Sequence, residues 1–264
     1  VEDRTVPTRG GPRPVRILRP QTDSAAPLPA MLYIHSGGYV IGGIDESEQE
    51  ARRFAARTPA VVVSMSYRRA PEHRLPAAVD DAWDVLTWVA ENWGTLGVDP
   101  TRLTVGGCSA GGGLTAILSR LAAERGGPKI ALAVPLCPWL DLTMSQPSVS
   151  RYARGYDLDR EFLDWFVAAY AGPSGDARHP LASPLLHPVP KGHAPAVILA
   201  AECDPLFDEA KLYAERLREA GLPVSVVEAP GMIHAFNEIT HLIPAGEPLL
   251  EPLHAAVGRA LRGR

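Results

Sequence analysis

Ser109 lies in Gly107-Cys108-Ser109-Ala110-Gly111, a G-x-S-x-G pentapeptide between an apolar run ending at Val105 and a helix-like stretch over residues 112–118. A serine flanked by glycines between a strand and a helix occupies a turn where larger neighbours would clash. Such a turn pushes the hydroxyl off the sheet edge, where it can attack a carbonyl. The same five residues also make a plain tight turn, so the rest of the apparatus decides. A serine hydroxyl is a weak nucleophile at neutral pH. It needs a base for its proton, a carboxylate to orient that base, and donors for the oxyanion.

Around such an elbow the chain order is serine, then Asp or Glu, then histidine. Of the eight histidines, His234, His241 and His254 follow the candidate acid. His234 is preferred because it sits in Pro230-Gly231-Met232-Ile233-His234-Ala235-Phe236, a loop beyond the strand-like residues 224–227. His241 follows in a less constrained stretch, and His254 is expected on the polar part of a terminal helix. Asp204 is the preferred acid: residues 195–201 read as a buried strand, and Glu202-Cys203-Asp204-Pro205 as its exit turn. Glu202 and Asp208 are the competing carboxylates, and Asp204 alone could be a helix cap. Donors are expected from His35-Ser36-Gly37-Gly38-Tyr39, directly after the short apolar strand 31–34. There the N–H groups of Gly37 and Gly38 can approach a substrate oxygen, with Ala110 N–H as the third donor.

Other chemistries fit poorly. The glycines at 106–113 lack the G-x-G-x-x-G spacing and the Lys and Ser/Thr of a phosphate loop. His179, His187 and His193 are spread through Pro-rich loop, and neither H-E-x-x-H nor C-x-x-C occurs. No metal and no cofactor is expected.

Six segments in one order resemble the hormone-sensitive-lipase-like (HGGG) family of bacterial α/β-hydrolase esterases. His35-Ser36-Gly37-Gly38 resembles the HGGG loop, and Tyr67-Arg68-Arg69-Ala70-Pro71-Glu72-His73 the Y-R-L-A-P-E-H segment. Pro76-Ala77-Ala78 with Asp81-Ala82 continues that match. Gly107 to Gly112 resembles G-D-S-A-G-G, Asp204-Pro205-Leu206 with Asp208-Glu209 resembles D-P-L-x-D-E, and Gly231 to Phe236 resembles G-x-x-H-x-F. The resemblance implies Ser109, Asp204 and His234 as triad and Gly37, Gly38 and Ala110 as oxyanion hole; Tyr39, Cys108 and Trp139 are candidates for the substrate pocket. It implies a mostly parallel eight-stranded sheet flanked by helices with a small helical cap, and hydrolysis of short-chain acyl esters through an acyl-enzyme. Amide or lactone hydrolysis by the same residues stays open. So does a non-catalytic binding protein of the gibberellin-receptor type, although those receptors lack the catalytic histidine.

Three departures stand out. Ser36 replaces the first glycine of HGGG, Cys108 the residue before the nucleophile, and Gly113 a common Asn. The chain also begins at Val1 in what reads as the first strand, whereas relatives place a helix pair before it. A more open mouth to the site is expected from that difference.

At 264 residues the chain suits one α/β domain with a large core. A net charge of −4 without a long basic run argues against nucleic acid or an anionic membrane as partner. Three cysteines, Cys108, Cys137 and Cys203, make no disulfide framework and favour a reducing cytoplasm. Apolar runs are too short to span a bilayer, so stable membrane insertion is not expected. The expected partner is a small-molecule ester, and a homodimer is left open. Strands are expected at 15–18, 31–34, 61–66, 103–105, 131–136, 196–201 and 224–227, and helices at 46–57, 77–92, 110–125, 206–220 and 251–261. Residues 141–190 interrupt this alternation as a cap insert between core parts 1–140 and 191–264. The cap's amphipathic helix over 159–171 carries Phe162, Leu163, Phe166, Val167 and Tyr170.

Overall fold

The computed structural model describes residues 1–23, 26–173 and 175–262. In chain order its elements are β1 (Glu2–Val6), β2 (Arg13–Leu18), β3 (Leu28–Ile34), α1 (Ile44–Arg57), β4 (Val61–Met65), α2 (Ala77–Glu91), α3 (Trp93–Leu96), β5 (Val98–Cys108) and α4 (Ala110–Arg125). They continue as β6 (Leu132–Leu136), α5 (Pro147–Arg151), α6 (Arg160–Tyr170), β7 (Ala196–Cys203), α7 (Phe207–Glu219), β8 (Val224–Ile233) and α8 (Glu251–Arg262). Short 3₁₀ turns lie at Pro184–Leu186, Phe236–Glu238 and Pro244–Leu250. The strands form one sheet in the order β1-β2-β4-β3-β5-β6-β7-β8, parallel from β4 onward, with β2 antiparallel to both its neighbours.

Strand period decides which side chains face which helices. Ala30, Leu32 and Ile34 of β3 and Ala196, Ile198 and Ala200 of β7 join one apolar cluster; Met31, Tyr33, Val197, Leu199 and Ala201 join the other. Each helix offers a matching stripe. Ala210, Tyr213, Ala214 and Leu217 of α7 face the first cluster with α2 and α4, and Leu253, Val257 and Leu261 of α8 face the second with α1. Both faces of the sheet are covered, so its strands read as nearly continuous apolar runs.

Register places the strand ends. Ile34 pairs with Gly107, bringing the loop after β3 beside the end of β5. Cys203 pairs with Ile233, so the residues that follow, Asp204 and His234, leave the sheet side by side. Ligands of open parallel sheets bind beyond these carboxyl ends.

Most expected elements are present. β5 and β8 run longer than expected: β5 reaches back to Val98, which pairs with Leu28, and β8 runs on past Pro230 to its pairing with Cys203. The short α3, α5 and 3₁₀ turns have no counterpart among the expected elements.

Candidate active site

Ser109 has φ 56° and ψ −116°, a left-handed conformation rare for a residue with a Cβ. The turn is locked from both sides: Ser109 N donates to Leu136 O at 2.9 Å, and Trp139 N donates to Ser109 O at 3.1 Å. Its glycines are there for space. A Cβ on Gly111 would run into the carbonyl oxygens of Ile34 and His35, and one on Gly107 into Ile34 O and the Gly111 backbone. Helix α4 starts at Ala110, so its first-turn amides lack intrahelical acceptors and favour negative charge at that end.

His234 Nδ1 lies 2.7 Å from Asp204 Oδ2. Asp204 Oδ1 accepts Leu206 N at 2.8 Å, so the carboxylate is anchored at one oxygen and faces the imidazole with the other. Asp204 keeps 1% of its surface exposed against 6% for His234 and 7% for Ser109, so solvent reaches base and hydroxyl but not acid. Burial alone would lower the His234 pKa; the Asp204 carboxylate and its hydrogen bond outweigh that and hold the imidazole above its usual range. Among the described residues Ser109 Oγ makes no hydrogen bond to His234. Such bonds are often long in a free enzyme and tighten with substrate.

The competing carboxylates have other work. Glu202 is exposed and accepts Gly231 N at 2.7 Å, bracing the loop before His234. Asp208 accepts Ser148 N at 2.8 Å and ties α7 to α5. His241 is exposed. His254, expected on a polar face, is instead buried against Phe54, with Glu50 at 3.7 Å, because α8 turns that side inward onto α1.

The loop after β3 is held from beneath. The ring of Tyr67 stacks on His35 at 4.1 Å, Ala70 N donates to Tyr39 O at 2.9 Å, and Arg69 Nη1 donates to Gly42 O at 2.7 Å. Arg68 in turn is paired with the fully buried Asp81 at 3.0 Å. Burial pushes His35 down to about 4, so the ring is neutral and donates from Nδ1 to Ser36 O at 2.7 Å. Gly38 has φ +58°, and a Cβ there would strike the ring of Phe166 on α6. Phe166 also meets Trp139 edge-on at 6.3 Å, and Trp139 neighbours Tyr39 at 6.1 Å. Tyr39 and Trp139 are fully buried. Cys108, grouped with them in sequence, lies in the cluster on the α1 and α8 face of the sheet, its thiol 3.6 Å from Asn237 Oδ1. Period-two alternation along β5 sends it there. Burial also pushes that thiol well above its ordinary range.

One group of donors merits mention as ligands. Cys137 Sγ, an Asp204 oxygen and a His234 nitrogen lie within 4.8 Å of one another. The two latter already bond to each other, and burial holds the Cys137 thiol protonated, so the set is a poor fit for a cation.

A profile for a family described as alpha/beta hydrolase fold matches residues 31–238. This chain belongs to that family. It is 41% identical over 246 residues to the ethyl acetate hydrolase of Pseudomonas putida, covering 92% of this chain and 77% of that protein. It is 38% identical to the carboxylesterase NlhH of Mycobacterium tuberculosis, covering 99% and 83%. Among solved structures, an esterase of Pyrobaculum calidifontis superposes with a TM-score of 0.91 at 38% identity, covering 97% of this chain and 84% of that one. In this alpha/beta hydrolase, sequence reading missed two residues beside the site. Asn237 and Glu238 follow His234 on the 3₁₀ turn and meet Cys108 and Ser36. Their one sequence signal is that both partners stand where the chain departs from its family motif.

Proposed function

We propose that this chain is a serine carboxylesterase acting on small esters through an acyl-enzyme. The observation that carries the reading is the 2.7 Å Asp204–His234 bond at the ends of neighbouring strands, on the same sheet edge as the strained Ser109 turn. His234 takes the Ser109 proton as Oγ attacks the ester carbonyl, and Asp204 holds the imidazole with its free nitrogen toward the hydroxyl. The N–H groups of Gly37, Gly38 and Ala110 receive the tetrahedral oxyanion. Collapse breaks the ester C–O bond, and the departing alcohol takes its proton from His234. Water then repeats the attack with His234 as base, releasing the carboxylic acid and restoring Ser109.

Segment 141–190 acts as a cap over the acyl side, with Phe166 between Gly38 and Trp139. That crowding favours small acyl groups, in keeping with the relative named for ethyl acetate. No described helix is long and apolar enough to cross a membrane. Three free cysteines fit a reducing compartment such as the cytoplasm.

A short-chain nitrophenyl ester tests the reading. The enzyme should give a stoichiometric nitrophenol burst, and Ser109→Ala should lower kcat by roughly 10⁴- to 10⁶-fold. No burst, or an alanine variant that still turns over normally, would refute it.

A further inference from the structure

Gly37 and Gly38 leave the sheet from β3, and His234 leaves it from β8. Those strands are separated by β5, β6 and β7. At the usual strand spacing they stand roughly 19 Å apart within the sheet. Attack nevertheless requires oxyanion donors and base to serve one carbonyl together, with reacting atoms in a narrow geometry. Something must bring the two loops to a fixed separation above the sheet.

Among the described residues, one direct hydrogen bond crosses that gap. Ser36 Oγ donates to Glu238 Oε2 at 2.6 Å, although the residues are 202 apart in the chain. Ser36 immediately precedes Gly37, and its carbonyl is already held by His35 Nδ1, so its side chain projects from a fixed backbone. Glu238 ends the 3₁₀ turn Phe236–Glu238, four residues beyond His234. The intervening Ala235 has φ 53°, a conformation its surroundings must maintain. A second contact reaches the same turn from β5, Cys108 Sγ to Asn237 Oδ1 at 3.6 Å. Both contacts begin at residues where the chain departs from its family motif.

We propose that Ser36 and Glu238 form a positioning clamp that sets the distance between the oxyanion-hole amides and the His234 imidazole. The clamp rests on the esterase reading above. Its charge also matters. Burial pushes the Glu238 carboxyl up to about 7, with the Ser36 hydrogen bond pulling the other way. Glu46 and Glu50 of α1 add negative charge near it, His234 faces it from its own loop, and Tyr33, Tyr67 and Cys108 lie within its field. Ionised Glu238 raises the His234 pKa.

The test compares Ser36→Ala, Glu238→Ala, their double variant and Glu238→Gln on nitrophenyl acetate, with phosphonate titration counting competent sites. Ser36→Ala and Glu238→Ala should each lower kcat per titrated site about 10- to 100-fold while KM stays within about twofold. The double variant should lose no more than either single, because one bond is removed in all three. Glu238→Gln keeps an acceptor for Ser36, so kcat should recover to within about threefold of the parent. Its acid limb of kcat/KM should move to lower pH, since the charge that raised His234 is gone. A wild-type kcat in Ser36→Ala, multiplying losses in the double variant, or a loss explained wholly by fewer titrated sites overturns the clamp. Absence of any burst in the parent instead sinks the esterase reading. The clamp is then judged by the downfield Nδ1 proton resonance of His234, which should broaden in Ser36→Ala, and an unchanged line overturns it.

Discussion

Glu202 and Asp204 are two residues apart, but Glu202 still lies within β7 while Asp204 stands just past its end at Cys203, and that exit from the strand gives them different surroundings. Asp204 turns inward to His234 and Leu206, while Glu202 stays in solvent and accepts the Gly231 amide. Asp204→Asn keeps the shape but presents an amide to the imidazole and disturbs its tautomer. It should lower kcat by about 10⁴-fold, whereas Glu202→Gln still accepts Gly231 N and should stay within about threefold. Steady-state kinetics on both variants checks the assignment, and reversed results would exchange the two roles. The pH profile follows from the same pair. His234 must be neutral to act as base, and Asp204 holds its pKa above 6.5 despite the burial that opposes this. The acid limb of kcat/KM should therefore lie above 6.5, with activity lost as pH falls through it; a limb at or below that value would contradict the pairing. At this scale the sequence was readable where a residue's role follows from its place at a strand end, as for Ser109, Asp204 and His234. It was unreadable where the role depends on a distant partner. Nothing near His234 in the chain announces that Glu238 meets Ser36, and nothing near His254 announces that α1 covers it.

At the scale of elements, the site depends on how closely β3, β5, α4 and α6 approach. Gly107 and Gly111 let α4 begin against the β3 carbonyls, and Gly38 lets the Phe166 ring close on the backbone. The long amphipathic and apolar segments were legible because burial on a covered sheet enforces their period. The short α3 and α5 were not, since four or five residues carry too little periodicity to distinguish a helical turn from a loop. Likewise the helix over 159–171 was visible, but not which of its large apolar residues turn inward: Leu163, Phe166 and Tyr170 are buried while Phe162 and Trp165 are more than half exposed. Phe166→Ala should open the acyl side. The ratio of kcat/KM for hexanoate to that for acetate should rise at least about tenfold, the scale of one or more added methylenes in an apolar pocket. A ratio within one preparation is insensitive to folded fraction, so an unchanged ratio would remove Phe166 from the acyl pocket.

For the whole molecule, a mostly parallel core covered on both faces was implied by the alternation of segments and the family resemblance, but strand order was not legible, because one sequence does not say which strands neighbour. The same limit hid Arg53. From α1 it binds Glu50 at 3.0 Å, donates to Asn237 O at 2.7 Å, meets Thr240 Oγ1, and reaches Glu247 at 2.7 Å. One guanidinium thus joins the first sheet-covering helix, the turn that follows His234 and the 3₁₀ segment Pro244–Leu250. Glu50 is fully buried, so removing Arg53 leaves a carboxylate without its cation as well as several unmade hydrogen bonds. Arg53→Ala should cost about 3–5 kcal/mol, the usual result of breaking one side of a buried pair. In a chain of this size that corresponds to a Tm lower by roughly 6–15 °C. Arg53→Lys keeps the charge but has no planar fork to serve several acceptors at once, so it should fall between the two. Thermal unfolding of the three proteins measures the stability, and kcat at a temperature where all are folded measures the tie to the His234 turn. An alanine variant that melts with the parent would mean that the sheet and its two apolar layers hold these segments together without the guanidinium. A variant that melts early yet keeps full kcat would confine Arg53 to stability and leave the turn's position to Ser36 and Cys108.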